Sequence, residues 1–146
     1  MQRHSKRLAP ILLVLMLAGC AAKNPNTVPT PPPIQVANSV NMLAQTLDAA
    51  TTGLIAARDG GQLSQEDLTT AFKIVTRLVA VGKEINVELR SPNTWPVQKT
   101  KILSAIVTAG LPALSAQLSP NAKIILQASL ALFNEISQGV GGPSVS

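Results

Sequence analysis

Apolar residues in two stretches of the chain recur at alternating steps of four and three residues, the spacing of one face of an α-helix. The first stretch carries Val36, Val40, Leu43, Leu47, Ala50, Leu54 and Ala57. The second carries Leu68, Ala71, Val75, Leu78, Gly82, Ile85 and Leu89. Stripes of this kind are buried by packing against other helices, so the pattern predicts two long helices in a bundle.

Residues with known preferences for helix ends set the boundaries of these two helices. The first is predicted to end at 59–61, where glycine can adopt the left-handed conformation that terminates a helix. Ser64 is predicted to cap the second helix, with Glu66 and Asp67 in its first turn facing the positive end of the helix dipole. The two prolines within 91–96 are predicted to end it.

The C-terminal half of the chain predicts two more helices. One runs over 97–118 with a bend at Gly110 and Pro112, and the other begins after an N-cap at Ser119 and ends at Gln138. Short connections make consecutive helices antiparallel neighbours. The predicted fold is therefore all-α, an up-and-down four-helix bundle over 34–138. Residues 139–146, rich in Gly and Ser, are predicted to form a flexible tail.

The N-terminus has the organisation of an export signal. A basic segment precedes an apolar run at 8–17, which is too short to span a bilayer because spanning takes about 20 apolar residues. The stretch Leu17-Ala18-Gly19-Cys20 resembles the lipobox of bacterial lipoproteins at all four positions. The resemblance implies cleavage of 1–19 between Gly19 and Cys20, a diacylglyceryl group on the Cys20 sulfur, and acylation, for example with palmitate, of the new amino group.

Residues 20–33 contain five prolines among polar residues, a composition that favours polyproline II. This segment is predicted to be a tether between the lipidated Cys20 and the bundle. Since Ala21 rather than Asp follows the cysteine, the resemblance implies location in the outer membrane, facing the periplasm, in a Gram-negative host. In other bacteria it implies the outer face of the cell membrane. The predicted partner is the membrane itself, through the acyl chains.

The net charge and the residue types present limit which kinds of functional site the chain can form. The net charge is +5, but three of the twelve Lys and Arg residues precede Cys20, which leaves nine against seven Asp and Glu. This near neutrality argues against a nucleic-acid-binding surface, which needs clustered basic residues. His4 is removed with the signal and Cys20 carries lipid, so neither a histidine nor a free thiol remains for a triad or a metal site. We predict no catalytic residue, metal or cofactor.

Glu84 and Glu88 lie four residues apart on one face of the second helix. Paired carboxylates are what glycoside hydrolysis or a di-metal bundle would use. A di-metal bundle also needs Glu-x-x-His pairs, which this chain lacks. With Lys83 and Arg90 close in sequence, the favoured interpretation is a solvated, ion-paired surface.

Charge is distributed unevenly, because 34–101 holds thirteen charged residues whereas 102–146 holds only two. Helices this poor in charge lie at the centre of a bundle, or cover an apolar ligand or a second subunit. We predict a self-association surface or an apolar pocket wall over 102–136, formed by Leu103, Ile106, Leu114, Ile125, Leu132 and Phe133. Trp95, in a proline-flanked loop, is expected to cover the open end of the bundle, or alternatively to enter a bilayer interface or a partner's pocket.

Two further resemblances bear on function. The segment 53–64 with Phe72, Val75, 79–83 and Leu89 is similar to uncharacterised small helical proteins of bacterial and phage-associated sequences, which implies no activity. A lipobox followed by prolines also resembles the shorter outer-membrane spanin lipoproteins of phage lysis. The predicted function is that of a lipid-anchored, non-enzymatic scaffold that binds itself or another envelope protein. The alternatives are a carrier of an apolar ligand such as a lipid, and a phage-lysis lipoprotein.

Overall fold

The computed structural model describes residues 30–145, and within them all regular secondary structure is helical. The helices are α1 (Pro32–Asp59), α2 (Gln65–Leu89), α3 (Trp95–Ala109), α4 (Leu111–Ser115) and α5 (Pro120–Gly139). The four long helices form an all-α four-helix bundle, which confirms the predicted fold class, and α4 is a short segment in the connection between α3 and α5. The predicted cleavage site, the lipid-bearing Cys20 and the tether up to residue 29 lie outside the described residues.

Contacts between helices show that consecutive long helices alternate in direction. The first part of α1 lies beside the last part of α2, where Gly82 approaches Val40, and beside the end of α5, where Gly139 approaches Val36. The start of α3 is hydrogen-bonded to the end of α2. One end of the bundle is therefore formed by residues 30–35, 88–101 and 139–145, and we call it the tether end. The opposite end, formed by 58–67 and 110–123, is called the far end.

The core follows the apolar stripes closely. All seven predicted residues of α1 are buried, as are all those of α2 except Leu89, which is half-buried. In addition Ile74 and Val81 are buried on α2, because this helix contacts each of the other four. The central helix is thus α2, which carries several charges, and not the charge-poor third helix that the sequence had suggested. Burying α2 on more than one side needs a wider apolar face, and Ile74 and Val81 supply it.

Capping at the α1–α2 connection is as predicted. Gly61 has a φ of 74°, the left-handed conformation that lets the chain leave α1. The Ser64 hydroxyl accepts a hydrogen bond from the backbone N–H of Asp67 at 3.0 Å, and the Asp67 carboxylate accepts one from the backbone N–H of Ser64 at 3.3 Å. This reciprocal pair is a capping box, which fixes the first residue of α2.

The start of α1 differs from the prediction. The helix begins at Pro32 with Pro31 as N-cap, two residues inside the segment expected to be tether. A proline in the first helical turn costs nothing in hydrogen bonding, because the N–H it lacks would have no partner within the helix. Pro32 and Pro33 therefore belong to the bundle.

The predicted bend in the third helix is a complete break. Gly110 has a φ of 61° and separates α3 from α4, and Pro112 lies in the first turn of α4. Helical structure then ends at Ser115 and not at the predicted Leu118. Ser119 caps α5 as expected, since its hydroxyl accepts a hydrogen bond from the N–H of Ala122 at 3.3 Å.

The C-terminal segment is packed against α5, contrary to the predicted flexible tail. Val140 and Val145 are buried, with 1% and 3% of their surface exposed. The Ser137 hydroxyl donates to the carbonyl oxygen of Pro143 at 2.6 Å, and the N–H of Gly142 donates to the carbonyl oxygen of Ser137 at 2.8 Å. Two valines in a Gly- and Pro-rich segment are enough to dock it when α5 offers polar groups that pair with its backbone.

Across residues 30–145, every helix is too short or too polar to cross a membrane.

Candidate functional site

The predicted interaction surface over 102–136 lies mostly inside the protein. Ile106 and Phe133 each have 1% of their surface exposed, and Leu132 is also buried. These three side chains belong to the core of the bundle, so a partner cannot reach them in the folded chain. The low charge of this half therefore reflects burial within the bundle at these three positions, and the structure corrects the prediction for Ile106, Leu132 and Phe133.

The other three residues of the predicted surface, and Trp95, are half-buried and pack against the core: Leu103, Leu114, Ile125 and Trp95. Leu103 is covered by the C-terminal segment, since a Cβ added to Gly142 would lie 3.1 Å from its Cδ1. Ile125 packs against α1 at Gly53, where an added Cβ would lie 3.2 Å from its Cγ2. The C-terminal segment and α1 therefore already cover part of the apolar surface that was predicted to contact a partner.

Trp95 is the first residue of α3 and lies at the tether end. Its indole is half-buried and packs against the core, which agrees with the expectation that it covers the open end of the bundle. The residue remains partly exposed, and Val97, two positions further along α3, is 45% exposed.

Large exposed apolar side chains occur at positions that the sequence pattern did not single out. Val107 on α3 and Ile124 on α5 are 59% and 68% exposed, although each neighbours a residue of the predicted set in the sequence. Ile124 lines an open groove of about 490 Å³ along α5, together with Leu130, Ala131 and Val145. Apolar residues are so frequent in this part of the sequence that spacing alone does not separate the exposed Val107 and Ile124 from the buried residues beside them.

The connection between α2 and α3 holds a polar cluster centred on Glu88. One carboxylate oxygen of Glu88 accepts hydrogen bonds from the Asn93 amide at 2.7 Å and from the Ser91 hydroxyl at 3.0 Å. The other oxygen lies 3.6 Å from the Lys101 ammonium group. The partner of Glu88 is thus on α3, and not Lys83 or Arg90 as expected from proximity in the sequence.

These partners shift the ionisation of Glu88. The hydrogen bond from Asn93 lowers the pKa of the Glu88 carboxyl most, and the Ser91 hydroxyl and the Lys101 charge lower it further, against the opposing effect of desolvation. The net direction is downward, so Glu88 is held as a carboxylate. Its hydrogen bonds to Asn93 and Ser91 fix the turn between α2 and α3.

Helices α2 and α3 cap each other's C-terminal ends. The buried Gln98 amide on α3 donates to the carbonyl oxygens of Glu88 at 3.1 Å and Ser91 at 3.3 Å, at the end of α2. Arg77 on α2 donates to the carbonyl oxygen of Ala109 at 2.6 Å, at the end of α3. Carbonyls in the last turn of a helix lack partners within it, so both side chains supply hydrogen bonds that the helices themselves cannot.

Buried polar side chains of the described bundle are engaged in structural bonds. Within 30–145, each buried side-chain nitrogen or oxygen has a hydrogen-bonding partner. In the same range no three His, Cys, Asp or Glu side chains come together as metal ligands.

No protein-family model, curated protein or solved structure matches this chain significantly. The resemblances to the lipobox, to small helical phage-associated proteins and to spanins remain predictions from the sequence.

Proposed function

We propose that this chain is a lipid-anchored, non-enzymatic protein of the bacterial cell envelope, whose helical bundle acts as a scaffold or protein-interaction module. The observation that carries the proposal is the lipobox at 17–20, ten residues before the first described residue, Thr30. The acyl chains on Cys20 would hold the protein at the outer membrane, facing the periplasm, or at the outer face of the cell membrane. Several acyl chains hold a protein far more firmly than one.

The described bundle supports a scaffold through its connections. The α1–α2 and α2–α3 connections are each fixed by specific hydrogen bonds, at Ser64 and at Glu88. Exposed apolar side chains such as Met42, Val87 and Val107 are spread singly over several helices, as is normal on a protein surface.

Anchoring is tested by metabolic labelling with a palmitate analogue in a bacterial host. Cys20→Ser should abolish labelling and leave the precursor uncleaved, because the sulfur that accepts the diacylglyceryl group is gone. The matched control is Gly19→Ala, which keeps a residue that the lipobox accepts and should be labelled and cleaved normally. Normal processing and membrane retention of Cys20→Ser would refute the lipoprotein assignment. Recovery of the wild type in the inner membrane would refute the outer-membrane location.

A second candidate function, carriage of an apolar ligand, is favoured by the groove along α5. Its volume of about 490 Å³ falls in the range typical of small-molecule sites, and Ile124, Leu130 and Val145 contribute apolar lining. Mass spectrometry of gently extracted protein separates the two functions. Co-purifying lipid that is lost in Ile124→Lys supports a carrier, whereas a stoichiometric protein partner supports a scaffold.

A further inference from the structure

We propose that the tether end of the bundle is a membrane-contact surface that rests on anionic lipid headgroups, with Trp95 at the level of the interface. This inference rests on the proposed lipid anchor and adds which face of the domain meets the bilayer. Three observations support it: where the tether joins the bundle, which side chains are accessible there, and how charge differs between the two ends.

The anchor joins the bundle at this end. Ten residues, 20–29, separate the lipid-bearing position from Thr30, and even a fully extended chain of that length reaches at most about 36 Å. The 28 residues of α1 give the bundle a length of about 42 Å. A tether of this length lets the tether end touch the bilayer while the far end stands well away from it.

The accessible side chains at the tether end suit an interface. Trp95 packs against the core and remains partly exposed. Val97 and Ile34 are 45% and 50% exposed. Indole prefers the boundary between headgroups and acyl chains, because its body is apolar and its N–H can bond to water or lipid oxygens.

Charge distinguishes the two ends. The residues of the tether end include three basic groups, Arg90, Lys99 and Lys101, and one acidic group, Glu88, which is already paired with Lys101. A second carboxylate, that of Glu135, lies beside this end in a groove with Pro32 and Gly139. In the part of the chain that the structure describes, Arg90 and Lys99 form no ion pair. The residues of the far end include two basic groups and three acidic ones: Arg58, Lys123, Asp59, Glu66 and Asp67. The Arg77 guanidinium also reaches this end at Ala109 and Gly110, so its charges balance, whereas the tether end keeps an excess of one positive charge. Anionic lipids attract Lys and Arg near the surface, so they favour the tether end over the far end.

The test uses Trp95 as the reporter, since it is the only tryptophan in the chain. The chain from Cys20 to Ser146 is coupled through its single cysteine to maleimide-bearing lipid in phosphatidylglycerol–phosphatidylethanolamine vesicles that carry a headgroup nitroxide quencher. We expect marked loss of Trp95 fluorescence. In the matched control, Trp95→Phe is combined with Leu118→Trp, which moves the tryptophan to a half-buried position at the far end, and little loss is expected. Equal quenching of both reporters, or none of Trp95, would overturn the proposal.

A second pair of variants tests the role of charge. Arg90→Gln with Lys99→Gln should reduce the quenching of Trp95, and so should replacing the anionic lipid with phosphatidylcholine. Lys73→Gln with Lys123→Gln removes the same charge from positions nearer the far end and should leave the quenching unchanged. Quenching that is insensitive to the first pair would overturn the attraction to anionic lipid. Crosslinking of this end to a protein in cells, without quenching in vesicles, would overturn the membrane as its partner.

Because the lipid is attached chemically, this experiment does not depend on acylation in cells. Failure of the proposed anchor would appear as absent labelling of Cys20, whereas failure of the present inference would appear as absent quenching on vesicles.

Discussion

The side-chain amide of Asn134 on α5 pairs with the backbone of Val145 in both directions. Its nitrogen donates to the carbonyl oxygen of Val145 at 2.8 Å, and its oxygen accepts from the N–H of Val145 at 2.7 Å. The Asn134 amide thus satisfies both backbone groups of Val145, the last described residue, and holds it against α5. The Val145 side chain is buried as a result and forms one wall of the α5 groove.

Asn134→Ala should release this C-terminal segment. Loss of two hydrogen bonds to a part-buried backbone is expected to lower the free energy of unfolding by about 1–3 kcal/mol. Amide hydrogen exchange provides the more direct measurement, because the N–H of Val145 should lose its protection. Asn121→Ala is the matched control, since it removes an exposed side-chain amide bond to Gln62 at the far end. Unchanged protection of Val145 in Asn134→Ala would contradict the docked arrangement.

Gln98→Ala should destabilise the α2–α3 connection. The Gln98 side chain is 6% exposed and supplies hydrogen bonds to the carbonyls that end α2, so its loss should cost about 1–3 kcal/mol in chemical unfolding. Gln98→Glu should cost more, because it places carboxylate oxygens against carbonyl oxygens. Gln127→Ala, at an exposed position of α5, should change stability by less than about 0.5 kcal/mol. Equal effects at the two glutamines would argue against the cap.

A lysine scan at two adjacent positions of α3 separates core from surface. Ile106→Lys puts a charge at a site that is 1% exposed and should prevent cooperative folding or lower the melting temperature strongly. Val107→Lys, at a site that is 59% exposed, should change the free energy of unfolding by less than about 0.5 kcal/mol. Thermal melting followed by circular dichroism gives the comparison. A Val107→Lys protein as unstable as Ile106→Lys would contradict the orientation of α3.

The lowered pKa of Glu88 predicts a specific dependence of stability on pH. The group binds a proton less readily in the folded chain than in the unfolded one, so its contribution is present above its ordinary pKa of 4.5. That contribution is lost as the pH falls through the lower value of the folded state. Urea unfolding of the wild type and Glu88→Gln should therefore show a stability difference near neutral pH that shrinks under acid conditions. Asn93→Ala, which removes the main cause of the shift, should behave in between. A difference that is constant with pH would rule out this account.

The apolar stripes of α1 and α2 and the cap at Ser64 could be derived from the sequence because they depend on local spacing. A residue every three or four positions lies on one face of a helix whatever surrounds it, and a serine before a helix caps it through atoms three residues away. For that reason Leu47, Leu78 and Ser64 have the environments that their positions in the pattern predict. The lipobox is likewise a local signal, and with it the sequence predicts an anchor at Cys20.

Tertiary structure decided which apolar residues are accessible and what the polar side chains bond to. Ile106 and Phe133 share their charge-poor segment with Val107 and Ile124, yet only the last two face solvent, because burial depends on where neighbouring helices lie. Gln98 and Asn134 form hydrogen bonds with backbone groups that folding brings close to them. The ion pair of Glu88 with Lys101 likewise forms because α3 packs beside the end of α2. Helical periodicity determines which side of a helix is apolar, but the contacts of its polar side chains depend on the packing of whole helices against one another.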